Sequence, residues 1–149
     1  MRPSCREVVV ERLGLEPVPQ SARAARRYVR SALTGLGATE AATTAAELLV
    51  SEVVTNAVLH ARSAIDVSVA TVGDQVEVAV VDGSPAPLLP RSFGVQGTTG
   101  RGLRLLASLA SSWGVEPRAD APGKRVWFRL PRLLAEGAGV PGGDELPAW

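Results

Sequence analysis

The sequence has one cysteine, Cys5, and one histidine, His60. A single cysteine cannot close an internal disulfide, and this usage is compatible with a reducing cytoplasm. One histidine and one cysteine cannot build a zinc centre, so any divalent ion must be held by oxygen ligands, as magnesium is. An excess of one charge is also missing. Sixteen basic residues meet fifteen acidic ones for a net charge of +1, so no whole-molecule field argues for direct nucleic-acid binding. No apolar run approaches the roughly 20 residues needed to cross a bilayer. The basic N-terminus, Met1-Arg2-Pro3-Ser4-Cys5-Arg6, is not followed by the apolar stretch of a secretory signal. These lacks describe a cytoplasmic protein with no membrane partner.

What is present is enough for one domain with a real core: 149 residues, 46% of them apolar. Glu7 to Leu13 is a β-branched run that suits a strand, and Pro17 and Pro19 break it. Ser21 is the expected N-cap of a helix ending near Gly35 and Gly37. That helix carries Arg23, Arg26, Arg27 and Arg30 as a basic strip, expected to be a solvated face. Thr39 and Glu40 open a long second helix that Arg62-Ser63 closes.

Ile65–Val72 and Gln75–Asp82 alternate apolar and polar around Gly73-Asp74, which predicts a hairpin whose second strand ends in an acidic residue. From Gly83 to Gly100 there is no sustained period, and a loop that long inside a compact domain is usually functional. A helix over Gly102–Ser111, a short strand over Ser112–Pro117 and a last strand over Lys124–Leu130 follow. Hairpins without crossover helices predict an α+β fold: a two-layer sandwich with a mixed, mainly antiparallel sheet and helices on one face. The predicted domain spans residues 1–130, and residues 131–149, rich in Gly, Pro and Ala, read as a flexible tail.

Three places could carry chemistry. On the long helix, Glu52 and Asn56 lie one turn apart at the edge of an apolar stripe made by Leu49, Val50, Val53, Val54 and Ala57. A carboxylate and an amide so placed could hold a water and a hydrated cation, or could be two solvated residues. His60 follows one turn on, at the apolar margin, where a packing histidine is the expectation. Asp82-Gly83 at a strand end is either an ordinary turn or an acidic group held beside a flexible loop. Thr99-Gly100-Arg101-Gly102-Leu103 runs into a helix N-terminus, where free N–H groups and the helix dipole favour phosphate.

Their order and spacing resemble the GHKL (Bergerat-fold) ATP-binding domain, in particular the anti-sigma factor serine/threonine kinases of the RsbW and SpoIIAB type. Ser51 to His60 is similar to that family's N box, Val81-Asp82-Gly83 to its G1 box, and Gly100-Arg101-Gly102-Leu103 to its G2 box. Gly123 to Phe128 is similar to its closing strand. The resemblance implies ATP and Mg2+ as cofactors. Asn56 would be the magnesium ligand and Glu52 the general base on a hydroxyl or water attacking the γ-phosphate. Asp82, with Gly83 beside it, would take the adenine amine. Thr99, Gly100, Arg101, Gly102 and Leu103 would cradle the phosphates beneath a lid. The implied partners are a sigma factor and a small anti-anti-sigma protein of the STAS type, and the resemblance admits a homodimer. One departure stands out: Asp82-Gly83 is followed by Ser84-Pro85-Ala86-Pro87, so the second glycine of the family's Asp-x-Gly-x-Gly pattern is absent. Two other readings bear on the same residues. One is an ATP-sensing switch that binds a partner without transferring phosphate. The other is a detached histidine-kinase ATPase domain, disfavoured because no phosphoacceptor helix precedes the domain.

Overall fold

The computed structural model describes residues 7–60, 62–84 and 108–136, with side chains from residue 12 onward. Its elements run β1 (Glu7–Leu15), α1 (Gln20–Gly35), α2 (Glu40–His60), β2 (Ile65–Val72), β3 (Gln75–Asp82), β4 (Ser112–Pro117) and β5 (Lys124–Pro131). The strands form one sheet in the order β1-β2-β3-β5-β4, with every neighbouring pair antiparallel. The expected α+β sandwich is therefore the observed one, with the sheet antiparallel throughout.

The hairpin β2–β3 follows from its alternation. Val67 faces Val80 and Val69 faces Val78 across the ladder, and all four are fully or almost fully buried. Gly73 takes φ 63° at the first turn position while Asp74 does not share it, the pattern of a type II′ turn. The same face continues into β5 through Val126 and Phe128, and α1 and α2 lie over it with Val29, Leu33, Leu49, Val50 and Val54. Beta-branched and leucine side chains at a period of two on the sheet and 3.6 on the helices thus meet in one core.

The opposite face departs from simple alternation, because the middle of the sheet is buried there too. Glu77 on β3 is almost fully buried. It accepts hydrogen bonds from Arg125 Nη2 at 2.7 Å and Arg129 Nε at 2.8 Å. The Arg129 guanidinium in turn stacks 5.1 Å from the Trp127 ring centroid. The ring packs against Gly114 on β4, where a Cβ would come within 2.8 Å of it. Long side chains thus cover a face that the alternation of polar residues had marked for water.

The helix ends show where sequence signals were taken up and where they were not. Ser21 is not the cap of α1: Pro19 holds that position without a side-chain bond, and Ser21 Oγ donates back to the Glu16 carbonyl at 2.6 Å. At the other end, Gly37 (φ 77°) and Ala38 donate to Thr34 and Leu33, a Schellman closure that only a residue tolerant of positive φ completes. Thr39 does cap α2, accepting the Ala42 N–H at 3.3 Å. The helix ends at His60, two residues before the expected stop, and Arg62 swings into the left-handed region at φ 53°. By length and composition α2 could span a bilayer, although Glu47 and Glu52 interrupt its apolar residues. More than half of it is buried inside the protein as the core helix. The basic strip of α1 is only half solvated: Arg30 bridges Glu40 and Glu47 on α2, and Arg26 donates to Ser51 Oγ at 2.8 Å.

Packing runs past residue 130. The Arg132 N–H donates to the Asp74 carbonyl, and the Arg132 carbonyl accepts the Thr39 N–H, both at 3.0 Å. Thr39 Oγ1 donates to the Leu134 carbonyl at 2.6 Å. The start of α2 and the β2–β3 turn are thereby tied to the exit of β5.

Candidate functional site

Asn56 sits in the last turns of α2, 4% exposed, among the apolar residues that hold the helix on the sheet. Its Oδ1 is buried and accepts no hydrogen bond among the described residues. Such an orphan acceptor costs about 1–3 kcal/mol, and native structures keep few of them, mostly where a ligand or strain explains them. The amide is therefore not one of two solvated residues; it is a hard oxygen donor with its lone pairs unspent. That fits magnesium, which takes oxygen ligands and keeps most of its waters. The described residues contain no group of three or more His, Cys, Asp or Glu able to hold a metal by themselves. Among the described residues, an ion here would find Asn56 Oδ1 as its protein ligand and would need further oxygens from water or a bound ligand. Glu52, one turn earlier, is half-buried and already engaged in a polar interaction. His60 is exposed at the helix end and is not a packing histidine.

The exit of α2 is tied to the strand end that carries Asp82. Ser63 Oγ accepts the Gly83 N–H at 2.7 Å, so the Gly83 amide serves the fold and offers no donor to a ligand. Asp82 is 2% exposed. Its Oδ1 accepts the Ser84 N–H at 2.8 Å, an Asx turn that fixes the carboxylate plane. Across the ladder Asp82 is in register with Lys124, the first residue of β5. The Lys124 ammonium lies 3.3 Å from Oδ1 and 3.2 Å from Oδ2, itself nearly buried. Beneath them Gly123 adopts φ 138°, and a Cβ there would lie 2.1 Å from the Asp82 carbonyl oxygen. Only glycine lets β5 begin this close to the end of β3.

The structure thus brings Asn56, Asp82 and Gly83 to one end of the sandwich, with Glu52 one turn further back along α2. Thr99, Gly100, Arg101, Gly102 and Leu103, together with the expected lid, lie outside the described residues. Of the helix expected over Gly102–Ser111, only its end at 108–109 is described, and Leu109 is buried in the core. Sequence reasoning took Gly123 and Lys124 as the start of a strand and missed that both stand against Asp82. A signal was available: Lys124 is the chain's single lysine among fifteen arginines.

A buried carboxylate acceptor at the end of β3, and an unspent amide oxygen on α2 with a carboxylate one turn away, are chemically suited to a ligand that carries both a polar donor and an anionic group. Residues 15–130, most of the chain, match the family model described as a histidine kinase-like ATPase domain. Among curated proteins, none matches the chain.

Proposed function

Since the chain belongs to the histidine kinase-like ATPase family, the GHKL-type ATP-binding proteins, we propose that it is a magnesium-dependent regulator of the anti-sigma type. In this reading it phosphorylates a serine or threonine on a small anti-anti-sigma protein and holds a sigma factor when that protein is already phosphorylated. The observation that carries the reading is the buried Asn56 Oδ1, unsatisfied among the described residues, one turn beyond Glu52 on the helix whose exit is tied through Ser63 to Gly83, next to Asp82.

The roles follow from the chemistry of each group. Asp82 is acceptor-only and takes an N–H of the exocyclic amine of adenine. Asn56 offers its carbonyl oxygen to the magnesium, which when bound neutralises charge on the phosphate oxygens. Glu52 accepts the proton of the substrate hydroxyl as that oxygen bonds to the γ-phosphorus. The bond from γ-phosphorus to the β–γ bridging oxygen breaks, and its electron pair leaves with ADP. Gly100, Gly102 and the neighbouring amides supply N–H donors to the phosphates. No part of this needs a deep field, because phosphoryl transfer depends mainly on positioning and charge neutralisation.

The test is transfer of label from γ-labelled ATP, with magnesium, to a panel of anti-anti-sigma proteins of the STAS type. Transfer to a serine or threonine should fall by about 100-fold or more in Glu52→Ala, with ATP affinity retained. ATP binding without transfer to any member of the panel would overturn the kinase reading in favour of an ATP-sensing switch.

A further inference from the structure

Fifteen of the sixteen basic residues are arginine, and the one lysine is buried against Asp82. Taking both charges out of water is costly unless the remaining protons and lone pairs find partners. Among the described residues, Asp82 Oδ1 receives the Ser84 N–H and one approach of the ammonium, while Oδ2 receives the ammonium alone. A carboxylate oxygen has two lone pairs, so Oδ2 can accept one more donor. An ammonium has three donors, and among the described residues Lys124 uses them on Asp82 only. Both contacts also exceed the 2.7–2.9 Å usual for a charge-assisted bond, so the ammonium straddles the carboxylate without committing to either oxygen. Among the described residues, the pair thus leaves an open acceptor immediately beside an open donor in a place with little water.

We propose that Lys124 is a specificity-determining residue of the base pocket, donating to the purine ring nitrogen N1 while Asp82 takes the adjoining exocyclic amine. The inference rests on the ATP reading above and deepens it. The Watson–Crick edge of adenine presents a donor, the N6 amine, next to an acceptor, N1, the complement of what Asp82 and Lys124 leave open. An aspartate alone would read only the amine. Lysine suits the task better than arginine, because a compact ammonium can share its donors between a carboxylate and a ring nitrogen. A guanidinium fork would close on both carboxylate oxygens and leave neither to the base.

The test uses 1-deaza-ATP, in which a C–H replaces N1 and the amine is kept. Binding of ATP and 1-deaza-ATP to the full chain is measured by calorimetry for the wild type and for Lys124→Met. The single lysine also allows its Nζ to be followed alone by NMR after selective isotope labelling. In the wild type, 1-deaza-ATP should bind at least about ten-fold more weakly than ATP, as expected when a buried charged donor is left unpaired. ATP should move the Lys124 Nζ resonance far more than 1-deaza-ATP does. In Lys124→Met the preference should collapse to about two-fold or less. The wild-type and NMR arms hold even if Lys124→Met, with Asp82 left buried and unpartnered, fails to fold. Equal affinity for the two nucleotides, with an unmoved Nζ resonance, would overturn the role of Lys124 and leave ATP binding intact. Failure of both nucleotides to bind would instead overturn the reading on which it rests.

Discussion

At the scale of single residues, the informative atoms are those whose bonding is incomplete. Asn56 Oδ1 is buried without a partner among the described residues, and a fold selected for stability alone would place an apolar residue there. Asn56→Ala should therefore remove the magnesium dependence of ATP binding while costing the fold little. The unfolding free energy should fall by no more than about 1 kcal/mol, since the loss of packing is offset by removal of an unsatisfied polar group. Urea unfolding beside nucleotide titrations with and without magnesium checks both halves. A loss of about 2–4 kcal/mol, with the magnesium dependence unchanged, would make Asn56 a structural residue. Asp82 and Lys124 contrast with it, since each is paired yet keeps capacity in reserve.

At the scale of elements, the hairpin and the long helix were legible in the sequence because their periods are imposed by a single buried face. Ile65, Val67 and Val69 alternate as a strand over a core must. Other features depend on contacts that local sequence does not carry. The buried Glu77 needs Arg125 and Arg129 from a strand some fifty residues later, so no window around Glu77 could foretell it. Ser21 has the right side chain for a cap but points back to Glu16, because Pro19 already starts the helix with φ −57°. Within the site, Asp82 was visible as the acidic end of an alternating strand. Lys124 was not visible as its partner, because only the register of β3 and β5 puts the two side by side.

The contact between α1 and α2 makes a prediction at this same scale. Arg30 donates to Glu40 and Glu47, and its guanidinium holds the Glu40 carboxyl below the ordinary value of 4.5. A carboxyl depressed in the folded state adds stability above its unfolded value and loses it as pH falls through the folded one. The loss of stability between pH 7 and pH 3 should accordingly be smaller in Glu40→Gln than in the wild type, read from urea midpoints. The difference will be modest, because the Glu40 side chain is well exposed and screened. Equal pH profiles would mean that the pair contributes nothing.

At the scale of the whole molecule, the two ends of the sandwich are held by different means. The end away from Asp82 is fastened by Arg132 and Leu134, which bond to Thr39 and Asp74. A chain cut after Pro131 loses these bonds and should be destabilised by about 1–3 kcal/mol, at roughly 1 kcal/mol per bond. Thr39→Ala in the full chain should reproduce part of that loss through the missing cap. An unfolding midpoint unaltered by the cut would show that Thr39 finds equivalent partners without them.

The other end is governed by the rung joining Asp82 to Lys124, the last of the β3–β5 ladder. This rung closes the loop formed by all the chain from Gly83 to Gly123, so both ends of that segment are anchored at the same spot whatever its own conformation. Closure entropy grows only with the logarithm of length, about 0.6 kcal/mol for each doubling. Apart from β4, the buried Leu109 and the glycines proposed to cradle phosphate, the segment is thus where this fold can lengthen, shorten or exchange sequence at least cost to its core. New binding partners could be acquired there by insertion and drift while the charged rung at its base stays as it is.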